Sequence, residues 1–488
     1  MNYNCKKIGI NKYQLEKLPG MKVEVIIYAK EEMLPQLQKD LSLSQLAEAA
    51  MLPGVISPVI GMPDIHEGFG LPIGGVMATK NLISVGAVGM DINCGVRLLT
   101  SSLTYDRKKF SPEVLRTLIN KIQREIPIGV GNERRESLPK LSFEEIVING
   151  AEAVIKNGYG TKDDLDSTEE NGKMVGARFK ALTPKAIQRA KKQIGTLGSG
   201  NHFIELQKVN EIYDQEIAKK FGLFENQFCL MLHSGSRALG HQTCIDYSEI
   251  FWGLEEKYGI KVPRKGLAAL PMETKEAKNY FSAMAASVNF AFANRQVMTF
   301  FVRQVFEQIL KDKNPQLTLL YDVAHNIAKW EEHKIKNEKV KMKNDIEKLK
   351  NGKCKILVHR KGATRALPAG HPLLPEKFKE TGQPAIIPGS MGTASYVLVG
   401  LPKASETFFS VNHGAGRMMS RGEAFRTISK DKFETSMKEI IHNLPYQKIA
   451  DEAPDAYKNI HEVVDTLVEA GITKKVAKLI PLAVVKGD

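Results

Sequence analysis

Five short β-rich runs constrain the fold of this chain more than any other feature, because each ends at or beside a polar residue that precedes a small residue. Strands of this kind carry polar side chains to their ends, and small residues there let backbone or a ligand approach closely. The pattern predicts one composite site built from distant parts of the chain. The runs are CLMLH (229–233), LTLLYDVAH (317–325), CKILVHR (354–360), SYVLVG (395–400) and TFFSVNH (407–413).

Segments with helical spacing of apolar residues lie between these runs, so helices and strands alternate along the chain. No fixed-period repeat and no long low-complexity linker divides it. We therefore expect one large domain, although 488 residues would accommodate about three average domains. The predicted helices are 34–51, 112–125, 143–156 and 183–193, with a long helical region at 271–311.

The charge balance indicates which partners the chain could attract. Lys and Arg outnumber Asp and Glu by 69 to 55, which gives a formal net charge of +14. Such a surplus attracts polyanions, because neutralised phosphates release counterions, but many basic enzymes bind no nucleic acid. No signal peptide is recognisable, and no stretch reaches the roughly 18 apolar residues of a membrane span. We therefore expect neither secretion nor membrane insertion.

The cysteines indicate a reducing compartment. They are odd in number and scattered, and none forms a C-x-x-C pair, which is unlike a disulfide framework. A cytoplasmic location follows as the expectation, with Cys94 available as a thiolate. The five are Cys5, Cys94, Cys229, Cys244 and Cys354.

Four separate segments carry side chains that suit a metal. A carboxylate, a thiol and three imidazoles on turns of one chain predict a dinuclear site in which the thiolate bridges two ions. Taken singly, each residue also fits a structural role, as core filler, turn cap or buried histidine. Zinc suits sulfur and nitrogen ligands, while the carboxylate suits manganese or magnesium, so the metal stays open. The candidate ligands are Asp91, Cys94, His202, His233 and His325.

Eight motifs in order resemble the RtcB family of GTP-dependent RNA ligases, from about residue 60 to the final VVKGD. The resemblance implies a single large α+β domain over residues 1–488, with mixed sheets and helices around a deep dinuclear-metal cleft. The motifs are MPDIHEGFGLPIGG (62–75), GMDINCGVRLL (89–99), GTLGSGNHFIE (195–205), HSGSR (233–237), YDVAHNIAKWEEH (321–333), VHRKGATRA (358–366), PGSMGTASY (388–396) and NHGAGRMMSR (412–421).

The resemblance also implies a reaction. An RNA 3′-phosphate, or a 2′,3′-cyclic phosphate that is opened first, is joined to an RNA 5′-hydroxyl with consumption of GTP. His413 stands where the family has its nucleophile, which carries GMP as a phosphoramidate before the RNA 3′ end receives it. Two manganese ions are implied, one held by Asp91, Cys94 and His202 and the other by Cys94, His233 and His325.

Further contacts follow from the same resemblance. A carboxylate accepts from both N1–H and the exocyclic amine of guanine, so Glu205 is expected to select GTP over ATP. Without the resemblance, His413 would be a turn histidine beside Gly414 and Gly416, and the arginines would be solvated surface charges. The implied assignments are Asn201 and Ser390 to GTP phosphates; Glu205, Ser395, Tyr457 and Lys486 to guanine; Arg189, Arg417 and Arg421 to RNA phosphates; and Asp64, with His66 nearby, to orientation of His413.

Two other functions fit parts of the pattern. A dinuclear phosphoesterase, with a bridging water as nucleophile, fits the metal ligands, and a non-catalytic RNA-binding protein fits the charge. Consumption of GTP separates them from a ligase. The expected partners of a ligase are GTP and RNA, such as tRNA halves or cleaved transcripts, with the need for an activator such as archease left open.

One segment departs from the family pattern. Residues 334–355 carry nine lysines against three acids and form a longer connection than usual, so we expect an exposed insertion. It either contacts RNA or is a solvated hairpin.

Overall fold

The computed structural model describes residues 3–134, 138, 141–310, 316–333 and 353–487. Its strands are β1 Cys5–Gly9, β2 Lys12–Leu15, β3 Val25–Tyr28, β4 Val55–His66, β5 Ile73–Thr79, β6 Leu82–Ser84, β7 Gly95–Thr104, β8 Phe203–Ile212, β9 Gln227–Ser234, β10 Ala269–Pro271, β11 Leu317–Ala324, β12 Asn326–His333, β13 Cys354–Lys361, β14 Ala363–Arg365, β15 Pro384–Ile387, β16 Ser395–Gly400, β17 Ser410–Asn412, β18 Ile441–His442 and β19 Thr473–Lys486.

The helices occupy the intervals between these strands. They are α1 Leu34–Leu37, α2 Ser42–Ala49, α3 Pro112–Glu125, α4 Phe143–Asn149, α5 Ala151–Lys156, α6 Lys162–Asp166, α7 Pro184–Ala190, α8 Gln215–Lys220, α9 Arg237–Trp252, α10 Lys275–Ile309, α11 Arg421–Thr427, α12 Lys430–Ser436, α13 Tyr446–Ile449 and α14 Ile460–Glu469.

Most strands join one of two large sheets. The first sheet has the order β1-β2-β3-β4-β5-β13-β12, and the second has the order β11-β7-β9-β8-β19-β16-β15, with β18 paired to β19. Neighbours are antiparallel except in the pairs β3–β4 and β18–β19. The mixture of helices with largely antiparallel sheets agrees with the α+β expectation.

The central strands of the second sheet are buried on both faces. Along β9, Met231 packs into one core cluster and Leu230 and Leu232 into another, because successive side chains point to opposite faces. Helices α3 and α10 cover the second of these faces. A strand buried in this way is apolar throughout, so the single imidazole of His233 at its end is conspicuous.

Helix α10 runs through the centre of the protein. Thr274 caps its first turn by accepting from the amide of Ala277, and the 35-residue helix is buried on several faces, as its sequence predicts. Among the described helices, none combines the length and the apolar composition that a bilayer crossing requires.

Three predicted elements differ from the structure. The helix predicted at 34–51 is divided into α1 and α2, and the one at 143–156 breaks at Gly150, whose φ of 61° is not helical. The strand predicted at 407–413 was too long. Phe408 and Phe409 adopt left-handed φ angles of 50° and 51°, so pairing begins only at Ser410. Of the predicted insertion, residues 334–352 lie outside the described residues.

A fully buried ionic network connects the second sheet to helix α10. Asp322 on β11 pairs with Arg97 of β7 at 2.7 Å and with Arg295 of α10 at 2.8 Å, and all three side chains are inaccessible to solvent. Arg295 also donates to the carbonyls of Asn93 at 2.8 Å and Ser234 at 2.9 Å. The network therefore ties α10 to the three strands β7, β9 and β11 and to the turn before β7.

We predict that Asp322→Asn lowers the free energy of unfolding by about 3–5 kcal/mol, because it leaves two buried guanidinium groups without their carboxylate. The exposed pair Lys7–Glu31 offers the matched control. Glu31→Gln should change stability by less than about 1 kcal/mol. Urea denaturation of both variants measures the difference, and equal midpoints would contradict this role for Asp322.

Candidate active site

Four neighbouring strands of the second sheet bring the predicted metal ligands together at one end of the strands. Because each strand is antiparallel to the next, β11 and β9 finish at this end of the sheet, whereas β7 and β8 begin there. Gly95 of β7 pairs with Ala324 of β11 and Ser234 of β9, and Phe203 of β8 pairs with His233. The ligands at the four strand ends are His325 after β11, Cys94 before β7, His233 at the end of β9 and His202 before β8.

Cys94 lies between two imidazoles. Its Sγ is 3.1 Å from Nε2 of His233 and 3.5 Å from Nε2 of His202, and the latter nitrogen is 2.9 Å from Oδ2 of Asp91. Ligand atoms of Asp91, Cys94 and His202 all lie within 4.8 Å of one another. A carboxylate, a sulfur and a ring nitrogen at this spacing could hold a divalent ion.

The imidazoles continue in a row from this cluster. Ring centroids are 5.5 Å apart for His202 and His233, 5.5 Å for His233 and His325, and 5.3 Å for His325 and His413. Thr364 Oγ1 is 2.8 Å from Nδ1 of His325, whose buried Nε2 has no hydrogen-bond partner among the described residues. A buried, unpartnered ring nitrogen suits a metal ligand, and the backbone amide of His325 donates to the carbonyl of Cys94 at 2.8 Å.

Burial sets the protonation states of these groups. It lowers the pKa of His233 and of His325 well below the usual value, with nearby histidines adding to the effect, so both rings are neutral as ligands must be. Burial, and then the carboxylate of Asp91, raise the pKa of Cys94 well above the usual value. For Asp91, burial opposes ionisation, but the hydrogen bond from His202 leaves the pKa below its usual value.

His413 is held by the buried carboxylate of Asp64. Oδ2 of Asp64 lies 2.6 Å from Nδ1 of the His413 ring and accepts from the backbone amides of His413 at 2.9 Å and Gly414 at 3.3 Å. A carboxylate only accepts, so Nδ1 donates its proton to Asp64, and in the neutral ring Nε2 carries the lone pair. Lys458 donates to the carbonyls of Pro63 and Ile65 and so fixes the backbone on both sides of Asp64.

One cleft of about 380 Å³ joins the ligand cluster to His413. A cavity of this volume is within the range for small-molecule sites. Predicted residues that line it are Asp91, Cys94, His233, His325, His413, Asn201, Ser390, Arg417, Arg421, Tyr457 and Lys486, with His66 at its margin.

A charged cluster that the sequence did not reveal forms one wall of the cleft. Glu452 accepts from Arg417 at 3.1 Å, Tyr457 at 2.6 Å and Lys486 at 3.2 Å. Although burial opposes ionisation of Glu452, the charges of Lys486 and Arg417 hold its pKa below the usual value. Glu452 lies in no recognised motif, so only the fold identifies it. Arg417 is therefore part of a buried network and not a solvated surface charge.

Two residues predicted to contact guanine, Glu205 and Ser395, are not among the residues that line the cleft. Gln207 donates from Nε2 to Glu205 and, at 3.1 Å, to Oγ of Ser395. Burial raises the pKa of Glu205 to about 8, and the hydrogen bond from Gln207 and the charge of Lys486 only partly oppose this. A carboxyl group that is fully buried is costly, which suggests that a ligand uses Glu205.

The predicted arginines occupy different positions. The side chain of Arg421 is 55% exposed and lies at the cleft, 3.8 Å from Asp451. Arg189 is exposed on α7, donates to Gln242 and is not among the residues that line the cleft. Lys361, to which the sequence analysis gave no role, lines the cleft, and burial lowers its pKa to about 8.

Comparison with known proteins decides which family has this arrangement. The family model described as "tRNA-splicing ligase RtcB" matches residues 45–487. The chain belongs to the RtcB family.

Several curated RtcB proteins match along nearly the whole chain. The "tRNA-splicing ligase RtcB" of Thermococcus kodakarensis is 43% identical over 99% of this chain and 98% of its own length. That of Nanoarchaeum equitans is 43% identical over 100% of both chains. The "RNA-splicing ligase RtcB" of Mycobacterium bovis is 41% identical over 91% of this chain and 100% of its own length. The RtcB resemblance seen in the eight motifs is thus confirmed.

We predict that Cys94→Ala lowers affinity for divalent metal by more than about 100-fold, since even residues that only support metal ligands contribute about 10- to 100-fold. Cys94→Ser should bind little better, because a serine hydroxyl is harder to deprotonate. Metal titration of the purified proteins measures the affinity. Cys229→Ala is the control, because Cys229 is buried on the same strand as His233 but does not line the cleft. If Cys94→Ala bound metal as tightly as the wild type, Cys94 would be a core residue and not a metal ligand.

Proposed function

We propose that this protein is an RNA ligase that joins RNA 3′-phosphate or 2′,3′-cyclic phosphate ends to 5′-hydroxyl ends with GTP, as in tRNA splicing or RNA repair. The observation that carries the proposal is the pairing of Asp64 with His413 in the cleft that also contains the metal-ligand cluster. Membership of a family whose curated relatives are named as tRNA- or RNA-splicing ligases supports the same reaction.

In the proposed first step, His413 attacks the α-phosphorus of GTP through Nε2, and pyrophosphate leaves. Asp64 fixes the ring through Nδ1, which directs the lone pair of Nε2 away from the carboxylate, and it stabilises the positive charge that the ring acquires. The product is GMP bound to His413 through a P–N bond, which is labile enough to pass GMP onward.

In the next steps, an oxygen of the RNA 3′-phosphate attacks the phosphorus of this GMP, and the His413 ring leaves. The 5′-hydroxyl of the second RNA then attacks the activated 3′-phosphate, a new phosphodiester forms, and GMP leaves. Arg421, which is exposed at the cleft, is suited to hold the phosphates of the RNA, and Arg417 and Arg189 are proposed to assist.

The ligand cluster suits two divalent ions, for which we propose Mn²⁺. Asp91, Cys94 and His202 would hold one, and Cys94, His233 and His325 the other, since Sγ of Cys94 lies near Nε2 of both His202 and His233. Divalent ions supply charge neutralisation and alignment for in-line phosphoryl transfer. The neutral imidazoles and the mixed donor set of this chain fit that requirement.

Nucleotide recognition is proposed to use the wall around Glu452. Asn201 and Ser390 would contact the phosphates, and Ser395, Tyr457 and Lys486 would surround the base. Glu205 in its ionised form would accept from the two donors of the guanine edge, which adenine lacks. Its burial and its nearness to Lys486 support this assignment.

The remaining proposals concern partners and location. The substrates are RNA, for example tRNA halves, the location is cytoplasmic, and an activator such as archease is compatible with the chemistry. We further propose that the chain is one catalytic domain, with 334–355 as its insertion. A dinuclear phosphoesterase is disfavoured, because the curated relatives are named as splicing ligases, and consumption of GTP separates the two functions.

We predict that incubation with GTP and Mn²⁺, without RNA, labels the protein with GMP on His413. The bond should be labile to acid and stable to alkali, as a phosphoramidate is and a serine ester is not. His413→Ala should abolish labelling while metal stays bound. His371→Ala is the control, because His371 is also a turn histidine but packs on Phe409 outside the cleft.

His413→Ala also tests the order of the steps. His413→Ala should still join RNA whose 3′-phosphate carries GMP in advance, since only the first transfer needs the imidazole. Persistent labelling of His413→Ala, or joining of RNA by the wild type without GTP, would overturn the proposed mechanism.

We also predict that affinity for GTP rises with pH from neutrality toward about 8, because the raised pKa keeps Glu205 protonated at lower pH and guanine requires the carboxylate. In Glu205→Gln this increase should disappear. Glu255→Gln is the control and should keep the wild-type pH dependence, since burial raises the pKa of Glu255 to about 7 but its carboxylate accepts from the amide of Ala269, whereas the charge of Lys486 in the cleft wall acts on Glu205. Isothermal titration across this pH range gives the affinities, and an unchanged slope in Glu205→Gln would exclude Glu205 from guanine recognition.

A further inference from the structure

Phe69 is an aromatic side chain that the proposed chemistry does not use. It follows β4, lines the same cleft as the ligand cluster and His413, and is 41% exposed. Met90, next to Asp91, lines the cleft as well and is 38% exposed. Exposed apolar side chains of this size inside a cleft of charged groups indicate a ligand with an apolar surface as well as phosphates.

The backbone on both sides of Phe69 is fixed. Gln45 accepts from the amide of Gly68 at 3.1 Å and donates to its carbonyl, and Lys361 donates to the carbonyl of Phe69 itself. Gly70 has a φ of +80°, and a Cβ there would lie 2.1 Å from the carbonyl oxygen of Gly266. A loop held this firmly presents the ring of Phe69 at a defined place, although the ring is exposed.

We propose that Phe69 is a stacking platform for an RNA nucleobase beside the ends that are joined. The inference rests on the proposed ligase function and extends it to a base contact. Every RNA base has a π-face, and single-stranded RNA ends are recognised largely by bases that stack on aromatic side chains. The cleft supplies cations for phosphates through Arg421 and Lys361, and Phe69 supplies the surface for the base.

An RNA base fits this position better than the guanine of GTP. Phe69 extends from β4 of the first sheet, whereas Lys486 and Glu205, which are proposed to contact guanine, lie on β19 and β8 of the second sheet. A base on Phe69 would therefore belong to a second nucleotide in the cleft, next to the one that carries GMP.

The test uses short RNAs with 2-aminopurine, a base whose fluorescence is quenched by stacking, as the terminal nucleotide of either the 3′-phosphate or the 5′-hydroxyl strand. Binding is measured with Mn²⁺ and without GTP. The wild type should quench one of the two probes, which identifies the strand. Phe69→Ala should lose the quenching and bind that RNA roughly 5- to 150-fold more weakly, while Phe69→Tyr should retain both properties.

Three further measurements make the test decisive. Phe224→Ala, which removes a ring of similar exposure (39%) outside the cleft, should match the wild type. The salt dependence of RNA affinity should be the same in Phe69→Ala, since no charge is lost. Phe69→Leu should lose quenching, because it retains apolar area but no aromatic face.

Some results would overturn the inference. These are wild-type affinity and quenching in Phe69→Ala, equal behaviour of Phe69→Leu and Phe69→Tyr, or a loss of GTP affinity without a loss of RNA affinity in Phe69→Ala. Failure of the wild type to bind or join RNA would instead refute the proposed ligase function, so the two failures are distinguishable.

Discussion

The antiparallel register of β11, β7, β9 and β8 is the constraint on which the site depends. Alternating strand direction places two strand ends and two strand starts at one end of the sheet, so candidate metal ligands from four distant segments meet without a long loop. A shift of one residue in any of these strands would turn its side chains to the opposite face. The position of Cys94 between His202 and His233 is therefore a property of the whole sheet.

Arg295 of helix α10 helps to fix this register. It donates to the carbonyl of Asn93, immediately before Cys94, and to that of Ser234, immediately after His233, so one guanidinium links the backbones next to two candidate ligands. Asp322 compensates part of the buried charge and belongs to β11, which ends just before His325. Arg295 and Asp322, which support the structure, therefore contact or precede the backbone next to the candidate ligands within one buried polar network.

The motifs identified many of the residues that line the candidate cleft, although their roles stay predictions. Side chains such as His233 were identifiable because a lone polar residue at the end of an apolar run stands out. Glu452 was missed, because the sequence of Asp451 and Glu452 resembles an acidic pair on a solvated loop. Glu452 is buried only because Arg417, Tyr457 and Lys486 all contact it. Local periodicity located α3 and α10 well, but it could not foresee the break at Gly150 or the left-handed Phe408 and Phe409, which tertiary packing imposes.

The hydrogen bond between Asp64 and His413 joins residues 349 positions apart, and Lys486 donates to the carbonyl of Gly200, 286 positions away. Contacts of such sequence separation form slowly, because loop closure precedes any gain from the contact. We therefore expect the candidate site to form late in folding, after both sheets are assembled. A partly folded chain would have isolated histidines and a free thiol but no reactive centre, so activity is a sensitive measure of complete folding.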